Sequence, residues 1–148
     1  MAPHPTTDPA TALRERGLRV TRQRVSVMNA LATSPHSGAE AVIRTVRADV
    51  GQVSTQAVYD VLNVLTARGL VRRIQPAGST ARYELRVGDN HHHLVCRGCG
   101  RVVDVECVVG QAPCLDAPDL DTHGFVVDEA EVTFWGLCDT CSSGTTGT

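Results

Sequence analysis

The chain has 148 residues, enough for one ordinary domain or two small ones. With 42% apolar residues and no apolar run near the roughly 20 residues of a membrane helix, its composition is that of a soluble globular protein and excludes a membrane-spanning one. The net charge of −2 hides a division: residues 1–86 carry 12 Arg against six acids, +6, and residues 87–148 carry two Arg against ten acids, −8, with no lysine anywhere. A basic half suits a phosphate backbone, and an acidic half rich in His and Cys suits cations.

The first ten residues, MAPHPTTDPA, lack a basic segment followed by an apolar one, so no secretory signal is expected and the compartment is taken as cytoplasmic. Persistent disulfides are rare there, and six cysteines then point to metal or redox chemistry.

Residues 1–8, rich in Pro and Thr, and the tail 142–148 are expected to be disordered. A short helix is expected from Pro9 to Arg16, ended by Gly17. A second begins after Thr21 as N-cap, with Val20 and Val25 placed as a hydrophobic staple. A third opens on Ser37-Gly38-Ala39-Glu40, an S-x-x-E capping box, and puts Val42, Ile43, Val46 and Val50 on one face. The fourth, within VSTQAVYDVLNVLTARGL (53–70), has Ser54 as N-cap, a buried stripe of Val58, Val61, Leu62 and Leu65, and Gly69 as its end. Its other face carries Thr55, Gln56, Tyr59 and Asn63, an aromatic ring among short hydrogen-bonding groups, which is a surface suited to reading base edges.

Two strands flank a turn at Pro76–Ser79 and form a hairpin bearing Arg72, Arg73, Arg82 and Arg86. Short helices followed by a basic hairpin make a winged helix-turn-helix over residues 1–86, and such a unit binds DNA. After a hinge at 87–90, the strand-like runs HHHLVC, GRVVDVE and FVVDEAEVTFWGLC suggest a small α/β dimerisation and sensing module over 91–148. The expected fold class is therefore α+β, in two domains.

Cys96-x-x-Cys99 is answered by Cys138-x-x-Cys141. Four thiolates complete a closed tetrahedral shell for a structural zinc, with no position left open for chemistry. A dithiol redox pair is the alternative for either knuckle. In an extended strand His91 and His93 share one face while His92 takes the other. Two imidazoles on one face can chelate an ion completed by carboxylates, and Asp104, Glu84 and His36 are the candidates nearby in the pattern. Imidazole and carboxylate without thiolate suit Fe(II), Mn(II) or Zn(II) rather than Cu(I).

The motifs L-R-V-T-R-Q-R (18–24), H-S-G-A-E (36–40), S-T-Q-A-V-Y-D (54–60), HHHLVCRGCG and the two knuckles together resemble the ferric uptake regulator family over nearly the whole chain, and within it the actinobacterial FurA subgroup associated with repression of catalase-peroxidase genes. The resemblance implies a homodimeric, metal-dependent repressor, not an enzyme, on a palindromic A·T-rich duplex. It implies structural zinc on Cys96, Cys99, Cys138 and Cys141, and regulatory Fe(II) or Mn(II), or else Zn(II), on His36, Glu84, His91, His93 and Asp104. Asp rather than Glu at 104 resembles the peroxide-sensing branch, in which iron-bound protein suffers oxidation of a ligand histidine, His91 or His36 here, and leaves DNA. It further implies Arg19, in the minor groove, and Ser54, Thr55, Gln56 and Tyr59 as DNA contacts. An iron- or zinc-uptake regulator is the second reading, and a zinc-stabilised thiol oxidoreductase using Cys107 or Cys114 is one of another class. One departure falls on the recognition helix, where Ala57-Val58-Tyr59-Asp60 stands in place of the family's usual Thr-Val-Tyr-Arg. No third metal site at His92 or His123 is expected.

Overall fold

Side chains that accept backbone N–H groups open three of the helices. The computed structural model describes residues 7–85, 91–106, 123–126 and 131–144. Asp8 accepts the N–H of Thr11 at 3.1 Å and opens α1 (Pro9–Glu15), so it is ordered where disorder was expected. Gly17, at φ +69°, follows the end of that helix. Thr21 Oγ1 accepts from the N–H of Arg24 at 3.2 Å at the head of α2 (Arg22–Thr33), as its position ahead of an apolar-periodic run implies.

The capping box expected at Ser37 does not form. Ser37 and Gly38 are a two-residue strand, β1, and the Ser37 hydroxyl donates to the Ser34 carbonyl at 2.6 Å. Gly38 is the N-cap of α3 (Ala39–Val50) and makes no side-chain cap bond. Ser54 does cap: its Oγ accepts the N–H of Ala57 at 3.0 Å above α4 (Thr55–Ala67). At the far end, Gly69 has φ +69° and Leu70 returns its N–H to the Leu65 carbonyl at 2.9 Å.

β2 (Arg72–Ile74) and β3 (Arg82–Glu84) pair antiparallel, with Arg73 opposite Tyr83. The wing is three-stranded rather than a two-stranded hairpin, in the order β1-β3-β2, because Ser37 and Gly38 pair with Tyr83 and Arg82. Pairing across this distance in sequence consumes the backbone that a local cap at Ser37 would need. Together α1–α4 and the wing make a compact unit, Met1–Gly88. Its core is aliphatic: Leu13, Val27, Leu31, Val42, Val46, Val58, Leu62 and Leu65 are buried in one cluster with Tyr83 of the wing. Each such side chain contributes about 1.5–3 kcal/mol by leaving water.

The second unit, Asp89–Thr148, is built on β4 (His91–Cys96), β5 (Val102–Glu106) and β6 (Thr133–Gly136), followed by α5 (Asp139–Ser143). The strand order is β5-β4-β6, antiparallel between β4 and β5 and parallel between β4 and β6. The long run expected as strand from Phe125 to Cys138 is one only over Thr133–Gly136 among its described residues. Ser142 and Ser143, expected in a disordered tail, close the last turn of α5. The hinge expected at 87–90, Arg86, Cys107 and Cys114 lie outside the described residues. Among those described, no helix is long and apolar enough to cross a membrane.

Candidate functional site

Four sulfurs meet in the second unit. Cys96 ends β4, and a tight turn follows in which the Gly100 N–H donates to the Cys96 carbonyl at 2.9 Å, bringing Cys99 back beside it. Cys138 caps α5 and Cys141 lies on its first turns, so the second knuckle is a helix start. One sulfur from each of the four cysteines lies within 4.8 Å of the others, and Cys99 Sγ is 3.8 Å from Cys138 Sγ. A tetrahedral zinc with Zn–S of about 2.3 Å separates its sulfurs by about 3.8 Å, so this donor set fits that ion.

The electrostatics of the bare thiols point the same way. The Cys138 N–H donates to Cys96 Sγ at 3.3 Å, and this bond above all lowers the Cys96 thiol to about 6. Hydrogen bonding to Cys138 and then to Cys96, with burial, pushes Cys141 up to about 12. Sulfurs this crowded cannot all shed protons unless a cation joins them. Gly98 completes the cradle: a Cβ there would meet Cys141 Sγ at 2.8 Å. Sequence reasoning did not single out Gly98, because only the close approach of the second knuckle reveals the need.

The histidines of β4 alternate as a strand requires. His91 and His93 are buried on one face, and His92 turns to the other, 6.2 Å from the ring of Phe134. The register places His93 opposite Asp104 of β5. Asp104 Oδ1 lies 3.7 Å from His91 Nε2 and 3.5 Å from His93 Nε2, and the two imidazole centroids are 4.9 Å apart. Two ring nitrogens and a carboxylate oxygen thus converge, the donor types that Fe(II), Mn(II) and Zn(II) accept.

In the first unit His36 and Glu84 meet as well. His36 Nε2 is 2.9 Å from Glu84 Oε2, and Glu84 is buried to 1% exposure. His36 has φ +63°, the left-handed region that a residue with a Cβ adopts at a cost of order 1–3 kcal/mol. That backbone aims its ring at the end of β3, and its carbonyl accepts from Arg82 Nη1 at 3.4 Å. The spacing of H-S-G-A-E carries no signal of this strain.

On the first unit's surface, Ser54, Thr55, Gln56 and Tyr59 are all exposed on the first turns of α4. Arg19 is exposed just ahead of α2, where Arg24 Nη1 donates to its carbonyl at 2.7 Å. A further residue absent from the sequence reading, Arg47 of α3, holds the head of α4: Nε donates to the Val53 carbonyl at 3.0 Å and Nη2 to Thr55 Oγ1 at 3.2 Å. Gln56 is not independent either, for its Nε2 donates to Asp60 Oδ1 at 2.8 Å.

The profile of the ferric uptake regulator family matches residues 15–113. The chain belongs to the ferric uptake regulator family. The transcriptional regulator FurA of Mycobacterium tuberculosis is 59% identical over 135 residues, spanning 91% of this chain and 90% of that protein. The peroxide operon regulator of Bacillus subtilis is 30% identical over 146 residues, 96% of this chain and 97% of its own. Among solved structures, the ferric uptake regulator of Pseudomonas aeruginosa with manganese superposes with a TM-score of 0.68 at 27% identity, covering 90% of this chain and 99% of that one. The α+β fold of this family member is that of an N-terminal winged-helix unit followed by a smaller sheet-based one, as the sequence implied. Members of the family are transcriptional regulators, not enzymes, which sets aside the thiol oxidoreductase reading.

Proposed function

We propose that the protein is a dimeric, metal-dependent repressor that senses peroxide through regulatory iron, with its own promoter and a catalase-peroxidase gene as targets. The observation that carries the reading is the meeting of His91, His93 and Asp104 on adjacent strands, with donors suited to a redox-active divalent ion and no thiolate among them. Similarity to FurA and to the peroxide operon regulator supports it. Cys96, Cys99, Cys138 and Cys141 hold structural zinc, which stabilises the second unit and takes no part in sensing.

In this reading His36 and Glu84, from the DNA-binding unit, join His91, His93 and Asp104, from the sensing unit, as ligands of one regulatory ion. Ligands drawn from both units let occupancy favour the DNA-competent state, and a sharp switch needs roughly 3–5.5 kcal/mol of such preference. Iron supplies the redox chemistry with peroxide. Oxidation of His36 or His91 then removes a basic nitrogen from the ligand set, the ion is held less well and the protein leaves its operator. On DNA, Tyr59 packs on a thymine methyl, Gln56 hydrogen-bonds a base edge, Ser54 and Thr55 contact phosphate at the head of α4, and Arg19 enters a narrow A·T minor groove.

Anaerobic binding to a palindromic A·T-rich duplex from the protein's own promoter tests this, comparing zinc-loaded protein with added Fe(II), Mn(II) or Zn(II), before and after a peroxide pulse. Tight binding with Fe(II) and Mn(II), lost to peroxide in the Fe(II) form alone, is the expected result. Metal-dependent binding that survives peroxide makes the protein an uptake regulator, and binding indifferent to metal sinks both.

A further inference from the structure

Helix α4 presents Gln56, Tyr59, Asp60 and Asn63 to solvent, at the i, i+3, i+4, i+7 spacing of one helical stripe. The opposite stripe, Val58, Leu62 and Leu65, is buried, so the outward direction of these four side chains is set by the core. Asp60 is out of place by charge. It is a carboxylate on an exposed face of a unit that carries +6, on the helix read here as the one that meets a polyanion. Toward any phosphate it is repulsive, and that lowers affinity for all sequences alike.

We propose that Asp60 is a specificity determinant of operator recognition: its carboxylate, hydrogen-bonded to Gln56, selects a base that presents an amino group in the major groove, cytosine or adenine, at one position of each half-site and rejects guanine there. The inference rests on the reading of α4 as the DNA-reading helix.

The hydrogen bond gives the pair a defined edge. An ionised carboxylate only accepts, so the Gln56 amide must turn its nitrogen to Asp60 and its orientation is settled by chemistry. One amide N–H is thereby consumed. What remains outward is the Gln56 carbonyl oxygen, one N–H and the second carboxylate oxygen of Asp60, an edge richer in acceptors than in donors. In the major groove cytosine offers its N4 amino group and adenine its N6 amino group, whereas guanine offers the acceptors N7 and O6. Against cytosine or adenine the acceptors are matched. Against guanine they face other acceptors, and polar groups are desolvated without partners. A group that weakens binding everywhere, and recovers the loss only on a matching base, acts on specificity rather than on affinity.

The test is sequence selection by the full-length protein, loaded with zinc and Mn(II), from a duplex library randomised around its own-promoter palindrome. Wild type is compared with Asp60→Asn, Asp60→Ala and Gln56→Ala, and all three changes are at exposed sites that leave the core intact. In wild type one position per half-site should disfavour guanine against cytosine or adenine by roughly 5- to 100-fold. Asp60→Ala should level that position alone, and Asp60→Asn, whose amide can donate, should admit guanine there. Gln56→Ala should weaken the same preference without abolishing it. Selection profiles of Asp60→Ala and Asp60→Asn that superimpose on wild type at every position would overturn the proposal, as would a uniform change in affinity with no single position altered. A wild type that selects no sequence at all overturns the reading of α4 itself, which is a different failure.

Discussion

In the first unit Leu13, Val27, Leu31, Val46, Leu62 and Leu65 are each no more than 1% exposed, whereas in the second Leu94, Val103, Phe134 and Leu137 are 39–53% exposed. Among the described residues of the second unit, Val95 and Cys96 are the buried apolar side chains. One unit is held by an aliphatic core gathered from four helices. Among its described residues the other has little of that and has instead four sulfurs within 4.8 Å of one another. A small sheet with exposed apolar side chains gains its stability where ligand bonds can replace buried area. Among the described residues the two units thus differ in what gathers them: a buried aliphatic cluster in the first and four converging cysteines in the second.

Removing metal from the cysteine cluster should expose that difference most visibly. Stripping the ion with a chelator, or replacing Cys99 and Cys138 by Ser, removes binding free energy on the order of 10 kcal/mol from the second unit. Hydrogen exchange should then show β4–β6 and α5 unprotected while α2–α4 keep their protection. Equal loss in both units would refute the comparison. The converse is Leu62→Ala, a fully buried side chain of α4, which should destabilise the first unit by about 2–5 kcal/mol in denaturant titration and leave zinc affinity unchanged.

A finer cut on the zinc side is Gly98→Ala. Its Cβ would come within 2.8 Å of Cys141 Sγ, so the second knuckle must shift. Zinc affinity, read by competition with a chromophoric chelator, should fall roughly 10-fold, the scale on which supporting groups around a metal act. Unchanged affinity would show that the knuckle yields freely. On the helical side, Ser54→Ala should cost about 1 kcal/mol, since its hydroxyl caps α4. Ser37→Ala, whose hydroxyl caps nothing, should stay within about 0.5 kcal/mol. Equal costs for the two serines would mean that the cap at Ser54 contributes little.

What the sequence disclosed and what it withheld divide by range of interaction. Thr21 and Ser54 were legible as caps because a cap depends on the next three residues. The cysteine quartet was legible because two C-x-x-C knuckles have few other uses, and the shared face of His91 and His93 because strand alternation is local. Ser37 misled for the opposite reason. Its local pattern is a capping box, yet Tyr83 and Arg82 lie beside it and pair with it as strand. The positive φ of His36, the clamp of Arg47 on the head of α4 and the approach of Cys141 to Gly98 depend on segments brought together by folding. The bond from Gln56 to Asp60 spans only i to i+4 and carried a sequence signal.

The central claim is that occupancy of His36, Glu84, His91, His93 and Asp104 by one ion sets affinity for DNA. The most direct measurement is an anaerobic Mn(II) titration of zinc-loaded protein, following Mn(II) binding and affinity for the own-promoter duplex on the same samples, in wild type and in His93→Ala. Affinity should rise about 100-fold or more in step with occupancy in wild type, and His93→Ala should bind DNA weakly at every Mn(II) concentration with its zinc retained. Mn(II) that fills its site while DNA affinity stays flat would contradict the account.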